Sequence, residues 1–203
     1  MSVGRKRSFD KSAALDKAMR LFWKNGYSGT SVSDLTELLG INKPSLYAAF
    51  GNKEQLFTSA LQHYRSSYGE PVLDKLDNPQ SLPLRDRIQA YMTGVIDLVS
   101  DQHSPKGCLF VKSSCESGSS WMPDGVTESL QDQGLQARQK MTALFEDEQQ
   151  QGRLSREVKA NEVADYLMSV LYGISVMARQ GRARKDLIAI VEMALKTLPV
   201  GES

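Results

Sequence analysis

The run TSVSDLTELLGINKPSLY, Thr30 to Tyr47, constrains the fold of this chain more than any other segment. It reads as a helix, a glycine turn and a second helix opening on Asn-Lys-Pro-Ser. That is the sequence form of a helix-turn-helix, whose second helix can enter a DNA major groove. Thr30 stands where an N-cap is wanted, since its hydroxyl can accept from a free backbone N–H of the next turn. Val32, Leu35, Leu38 and Leu39 recur at helical spacing and form one apolar face. Gly40 follows where a left-handed C-cap needs no Cβ. Ile41 plugs the angle between the helices, Asn42 caps the second, and Pro44 occupies its first turn, where a missing N–H costs nothing. Leu46 and Phe50 face inward. Lys43, Ser45, Tyr47, Ala48 and Ala49 are left to look outward or sideways.

That outward set suits DNA. Lys43 offers a point charge for phosphate, Ser45 a short hydroxyl for a base edge or phosphate, and Tyr47 a ring with a donor. The small Ala48 and Ala49 let the helix approach closely. A helical corner with a solvated polar face is the plain alternative. Downstream, Asn52 with Gln55 three residues on is a capping-box variant that starts a new helix. It places Lys53 at a helix N-terminus, where an anion is favoured. Upstream, Phe9, Ala13, Ala14, Ala18, Leu21 and Phe22 make a helical stripe ended by Asn25-Gly26, with Tyr27 placed to pack back. Before it, Arg5-Lys6-Arg7 is a short basic arm of the kind that reaches phosphates or the minor groove, or else a solvated tail.

These residues together carry a resemblance. Gly26-Tyr27, Thr30-Ser31-Val32, Gly40-Ile41-Asn42, Leu46-Tyr47, Phe50 and Asn52-Lys53-Glu54-Gln55-Leu56 resemble the DNA-binding domain of the TetR/AcrR regulators over roughly residues 9–60. Two positions depart from the family pattern: Asn42 replaces a usual Ser and caps equally well, and Ala49 replaces a frequent polar residue, removing a phosphate contact. The resemblance implies that Thr30, Lys43, Ser45, Tyr47 and Lys53 touch DNA. With Arg5 and Pro44 they make the expected DNA-binding set.

Composition agrees. The net charge of +1 conceals an asymmetry. Residues 1–65 hold ten Lys/Arg against five Asp/Glu, and the remainder fifteen against nineteen. The basic excess lies where an electrostatic footprint on DNA requires it, though it is modest, so two linked units should bind far better than one. No apolar run approaches the ~18–20 residues of a membrane span, and MSVGRKRS lacks a hydrophobic signal region, so a cytoplasmic protein is expected. The two Cys and two His show no metal-ligand spacing, so no metal or cofactor is expected. No nucleophile–base pair or phosphate loop points to an enzyme. Glu146-Asp147-Glu148 reads as a solvated helix face.

Beyond residue 65, Gly69, Pro71, Asn78-Pro79 and Pro83 predict loops, short helices and a domain boundary. The helical period returns from Leu84, then over a short apolar helix at 107–116 and a long polar-surfaced one at 126–151. The segments 160–180 and 184–197 are apolar over more than one stripe, which requires burial on two sides. Either a symmetric four-helix interface between two chains or a large internal core satisfies this. Resemblance favours the interface. Tyr91, Met92, Cys108, Phe110, Trp121, Phe145, Met168 and Tyr172 can line an adaptable pocket or fill a core. The segment from Gly107 to Glu116 resembles a subset of TetR-like regulators, some of which sense electrophiles or oxidants through a cysteine at the position of Cys108. Lys106 and Lys112 beside a helix N-terminus would lower its thiol pKa; a buried small hydrophobe is the alternative.

The chain is therefore read as an all-α protein of about nine helices. Residues 1–65 form a three-helix helix-turn-helix DNA-binding domain and residues 66–203 a helical effector-binding and dimerisation domain. The expected function is a cytoplasmic homodimeric repressor, paired through about 160–197. It would bind a pseudo-palindromic double-stranded operator and be released by an unknown small-molecule effector. A thiol sensor using Cys108 and an activator of the same fold remain alternatives.

Overall fold

The computed structural model describes residues 10–77 and 82–198. Arg5 and its basic arm lie outside these residues. The first helix, α1 (Lys11–Asn25), is capped by the Asp10 carboxylate and packs on α2 (Val32–Leu39) and α4 (Lys53–Tyr64). Helix α3 (Lys43–Phe50) completes the head, against α2 and α4. The apolar faces predicted for α1 and α3 converge on a core of Phe22, Trp23, Leu35, Leu46, Leu56 and Phe57. Phe57 meets Phe22 and Tyr27 edge-on at centroid separations of 4.9 and 5.0 Å, so Tyr27 does pack back as its place after Gly26 predicts.

Three caps match the sequence reading. Gly40 is left-handed at φ 64°, and the Asn42 and Asn52 side chains accept from the backbone N–H groups of Ser45 and Gln55. The fourth differs. Ser31, not Thr30, caps α2, in a reciprocal box with Asp34. Thr30 is 0% exposed, and its hydroxyl donates to the Gly26 carbonyl at 2.8 Å. Two adjacent hydroxyls compete for one cap, and the carboxylate three residues after Ser31 decides between them.

Of the loops and short helices expected after residue 65, the stretch up to Asp77 is helical throughout. From α4 the backbone passes through a π turn at Arg65–Gly69 directly into α5 (Glu70–Asp77). Pro71 has no N–H to give the preceding turn, and the Glu70 N–H reaches back five residues to the Arg65 carbonyl. This i→i−5 bond locally widens the helix where the ladder is interrupted. The remaining helices are α6 (Leu84–Ser100), α7 (Leu109–Glu116), α8 (Asp124–Gln150), α9 (Ala160–Arg179) and α10 (Arg184–Thr197). With α4 and α5 taken as one continuous piece, the described residues form nine helices and no strand. Helix α6 packs on α5, α9 and α10, and α8 lies along α9. Ile88, Ile96, Phe145, Leu167, Ile174, Leu187 and Val191 fill the core between them.

Glu148 corrects the reading of 146–148 as a solvated face. It is 3% exposed and accepts from Arg87 at 2.8 Å and from Arg153 at 2.6 and 2.9 Å. Arg87, itself buried, also donates to the carbonyl of Leu76 near the end of α5, so one guanidinium joins three helices.

Candidate nucleic-acid interface and cavity

On α3, Lys43, Pro44, Ser45, Tyr47 and Ala48 are all exposed, while Leu46 and Phe50 anchor the opposite side. The Lys43 ammonium lies 5.6 Å from the Tyr47 ring centroid, a spacing at which ring and charge attract and hold each other outward. Lys53 starts α4 with its ammonium 4.0 Å from the Tyr27 ring centroid. Partial burial lowers its pKa, against the opposing influence of Glu116 and Asp34. It is thus held against the head rather than freely solvated. Thr30, with its hydroxyl committed to Gly26 in the interior, leaves this surface.

The head is tied to the rest of the chain by a compact set of bonds at the end of α1. The Trp23 indole N–H donates to the Gly107 carbonyl at 2.8 Å, and the Lys24 carbonyl accepts from Lys112 Nζ at 2.9 Å and Arg179 at 3.1 Å. Burial and the neighbouring Arg179 charge bring the Lys112 pKa down to about 8. Glu116 accepts from the backbone N–H groups of Tyr27 and Ser28 at 3.1 and 3.4 Å. Gly107, at φ 79°, sits so close to α9 that a Cβ would approach the Ser175 carbonyl to 3.1 Å. The next residue, Cys108, donates its N–H to Ser175 Oγ at 2.8 Å. Leu109, Met122, Val126 and Leu130, from α7 and α8 and the turn between them, complete the core of the head. None of these partnerships is local in sequence, and no spacing in the chain announces them.

Behind this junction lies a cavity of about 240 Å³ between α4, the π turn, α5, α6, α7, α8 and α9. Of the eight residues that could line a pocket or fill a core, Tyr91, Cys108, Phe110, Met168 and Tyr172 line this cavity. Met92 and Phe145 do not: both are 0% exposed in the core. Trp121 lies away from it at 73% exposure. Periodicity marks all eight as apolar without saying which side of a helix faces a void. Tyr64 was missed because it belongs to α4, on the head side of the expected boundary, yet it lines the cavity.

Cys108 lacks the setting of an activated thiol. Burial pushes its pKa up. Lys106 Nζ binds the Ser100 carbonyl and Lys112 Nζ binds Lys24, so neither ammonium is committed to the sulfur. Cys115, by contrast, is exposed. Limited iodoacetamide at pH 7 is expected to label Cys115 well before Cys108, as read by peptide mass mapping. Equal or faster labelling of Cys108 would contradict a half-buried thiol held in its protonated form.

Residues 14–60 match the family described as "Bacterial regulatory proteins, tetR family", and residues 85–193 match "Tetracyclin repressor-like, C-terminal domain". The chain belongs to the TetR family. This TetR-family chain is 29% identical to the HTH-type transcriptional repressor ComR of Escherichia coli K12, over 98% of its own length and 93% of ComR. It is 28% identical to the repressor BdcR of the same organism, over 94% and 90% of the two chains. A solved structure of the TetR family transcriptional regulator CifR, a cysteine mutant complexed with 26-base-pair double-strand operator DNA, superposes at a TM-score of 0.79. It shares 34% identity over 97% of this chain and 100% of that one. As a TetR regulator this chain is a DNA-binding transcriptional regulator. Among the described residues no helix is long and apolar enough to cross a membrane, and no cluster of three metal-ligating side chains occurs.

Proposed function

We propose that this chain is a cytoplasmic homodimeric repressor that binds an inverted-repeat operator through Lys43, Pro44, Ser45, Tyr47 and Lys53, and releases it when a small molecule fills the 240 Å³ cavity. The observation that carries the proposal is the junction at Gly107–Glu116. Cys108 and Phe110 line the cavity, while Gly107, Lys112 and Glu116, on the same stretch of chain, hold the end of α1. A ligand that displaces this stretch necessarily changes how the head is held. Release requires that the ligand prefer the displaced state; tight binding to both states would shift nothing.

Pairing is supported by the outer faces of α9 and α10. Their inner stripes are consumed by the internal core, yet Tyr166, Val176 and Met193 remain exposed, Met193 at 62%. Those faces fit a second copy of the chain. No catalytic step is assigned to any residue. Selection of DNA from a random pool by the full-length protein is expected to recover an inverted repeat whose half-sites are about 34–36 Å apart. Two chains should bind each duplex, as read by mass photometry or sedimentation. An asymmetric site bound by one chain would overturn the dimeric reading. In a reporter strain, deletion is expected to raise transcription from a promoter carrying that site; a fall would make the protein an activator.

A further inference from the structure

The cavity is apolar on one side and polar on the other. Val95, Leu98 and Val99 of α6 and Met168 and Leu171 of α9 make the apolar walls, to which Tyr91 and Tyr172 add their rings and hydroxyls. The Ser175 hydroxyl, at the end of the α9 row, is already engaged by the Cys108 N–H. The face that α8 turns to the same space carries Gln133, Gln136 and Lys140, and Arg65 and Glu70 come to it from the π turn and the start of α5. Gln136, Lys140, Arg65 and Glu70 are exposed, so this polar side is the mouth. Arg65 Nη1 donates to Gln136 Oε1 at 3.0 Å and its Nε faces Glu70 at 3.4 Å, so Arg65 spans the mouth from α8 to α5. Outside it lies a second, open groove of about 540 Å³ between α4 and α8, in which every lining side chain is polar. Arg65, Glu70, Gln133 and Gln136 wall both spaces, so the cavity leads into the groove.

From this geometry we infer that the ligand is an elongated amphiphile that enters between α8 and the π turn, seats an apolar tail in the cavity and leaves a hydrogen-bonding polar end in the groove. This rests on the reading of the cavity as the effector site. Tail length follows from volume: at about 30 Å³ for each water-sized group, 240 Å³ holds about eight such groups. Tail chemistry follows from the walls of α6 and α9, against which every CH₂ removed from water is favourable. The polar end follows from the two glutamines. Gln133 Nε2 donates to Ser129 Oγ at 3.3 Å and Gln136 Oε1 accepts from Arg65, which leaves Gln133 Oε1 to accept and Gln136 Nε2 to donate. A hydroxyl or an amide, which does both, matches that pair. Charges of both signs line the mouth and the groove, Arg65 and Lys140 against Glu70, Glu128 and Asp132, so hydrogen bonding and no single charge defines this end. The contacts of Arg65 across the mouth are exposed and cost little to part. A ligand seated in this way lies against Gln62 of α4 and Arg65 of the π turn as well as α8, and so stands between the DNA-binding head and the body of the chain.

Isothermal titration of the full-length protein with methyl, butyl, hexyl, octyl and decyl β-D-glucosides, each below its micelle-forming concentration, tests the inference. The sugar both donates and accepts, and only the tail changes along the series. From butyl onward each added CH₂ is expected to tighten binding about fourfold. The rise should stop at about eight carbons, when the cavity is full. Val95→Phe, which enlarges one apolar wall, should move that stop to a shorter tail. Tm checks that it folds, and Met168→Trp fills the same space should Val95→Phe prove unstable. Replacing Gln133 and Gln136 together by alanine should weaken every glucoside alike, by about tenfold, and leave the step per carbon unchanged. Affinity indifferent to tail length, or rising without a stop through decyl, would overturn the placement of the tail. Undiminished affinity in the glutamine variant would overturn that of the polar end, and failure of every glucoside to bind would overturn the amphiphile site altogether. Saturating octyl glucoside is expected to weaken operator binding. Binding with the expected tail profile but no change in operator affinity would overturn the effector reading and leave the amphiphile site standing.

Discussion

Glu148→Ala is expected to lower the stability of the folded chain by about 3–5 kcal/mol, the cost of removing one partner from a buried ion pair. The carboxylate is 3% exposed and receives three guanidinium hydrogen bonds, one from Arg87 and two from Arg153. Its loss leaves Arg87, whose side chain is only 7% exposed, with the Leu76 carbonyl and no counter-charge. At about 2–4 °C per kcal/mol for a chain of this size, Tm should fall by about 6–20 °C. Arg153→Ala should cost less, because its side chain is 34% exposed and Glu148 keeps Arg87. The sign of the pH effect follows from the carboxyl. Hydrogen bonds from Arg153 and then Arg87 hold its pKa below the ordinary value, against the opposing effect of burial. Its stabilisation is therefore full above the unfolded value of about 4.3 and lost as pH falls through the folded one. Urea titrations of wild type and Glu148→Ala between pH 7 and pH 3 should converge on the acid side. A constant difference across that range would show that the carboxylate's charge is not what matters.

The second large effect concerns DNA. Lys43→Ala combined with Tyr47→Ala is expected to reduce operator affinity by about 100-fold. Each dimer loses two phosphate contacts, so the slope of log affinity against log salt should fall by about 2. Both side chains are exposed on α3 and support nothing inside the head, so thermal stability should change by less than about 0.5 kcal/mol. Thr30→Val provides the contrast: it deprives the Gly26 carbonyl of its hydroxyl donor and should act on stability while sparing the salt slope. Binding curves at several salt concentrations decide the matter. An unchanged slope in the double variant would remove α3 from the phosphate backbone.

What could be read from the chain and what could not divide along one physical line. Gly40, Asn42 and Asn52 were legible because a cap is settled within three or four residues. Ser31 was equally legible, since Asp34 stands three residues on, but Thr30 beside it offered the same chemistry. Glu148 was not, because its acidic neighbours imply solvent and Arg87 lies 61 residues away. Tyr91 and Met92 make the point within one helix: adjacent in sequence and similarly apolar, they face a cavity and a core respectively. Local chemistry announces element ends and an exposed recognition face; voids and buried charges depend on which helices later meet.

The shared core of the head has a consequence for anyone exchanging parts between relatives. Leu109, Met122, Val126 and Leu130 seal Phe22, Trp23 and Leu61 from beneath, although a boundary at residue 65 would assign them to the other domain. The transferable unit is thus discontinuous. A chimaera that inherits its recognition helix from one parent and its effector response from another needs crossover points that carry α1 to α4 together with α7 and the first two turns of α8.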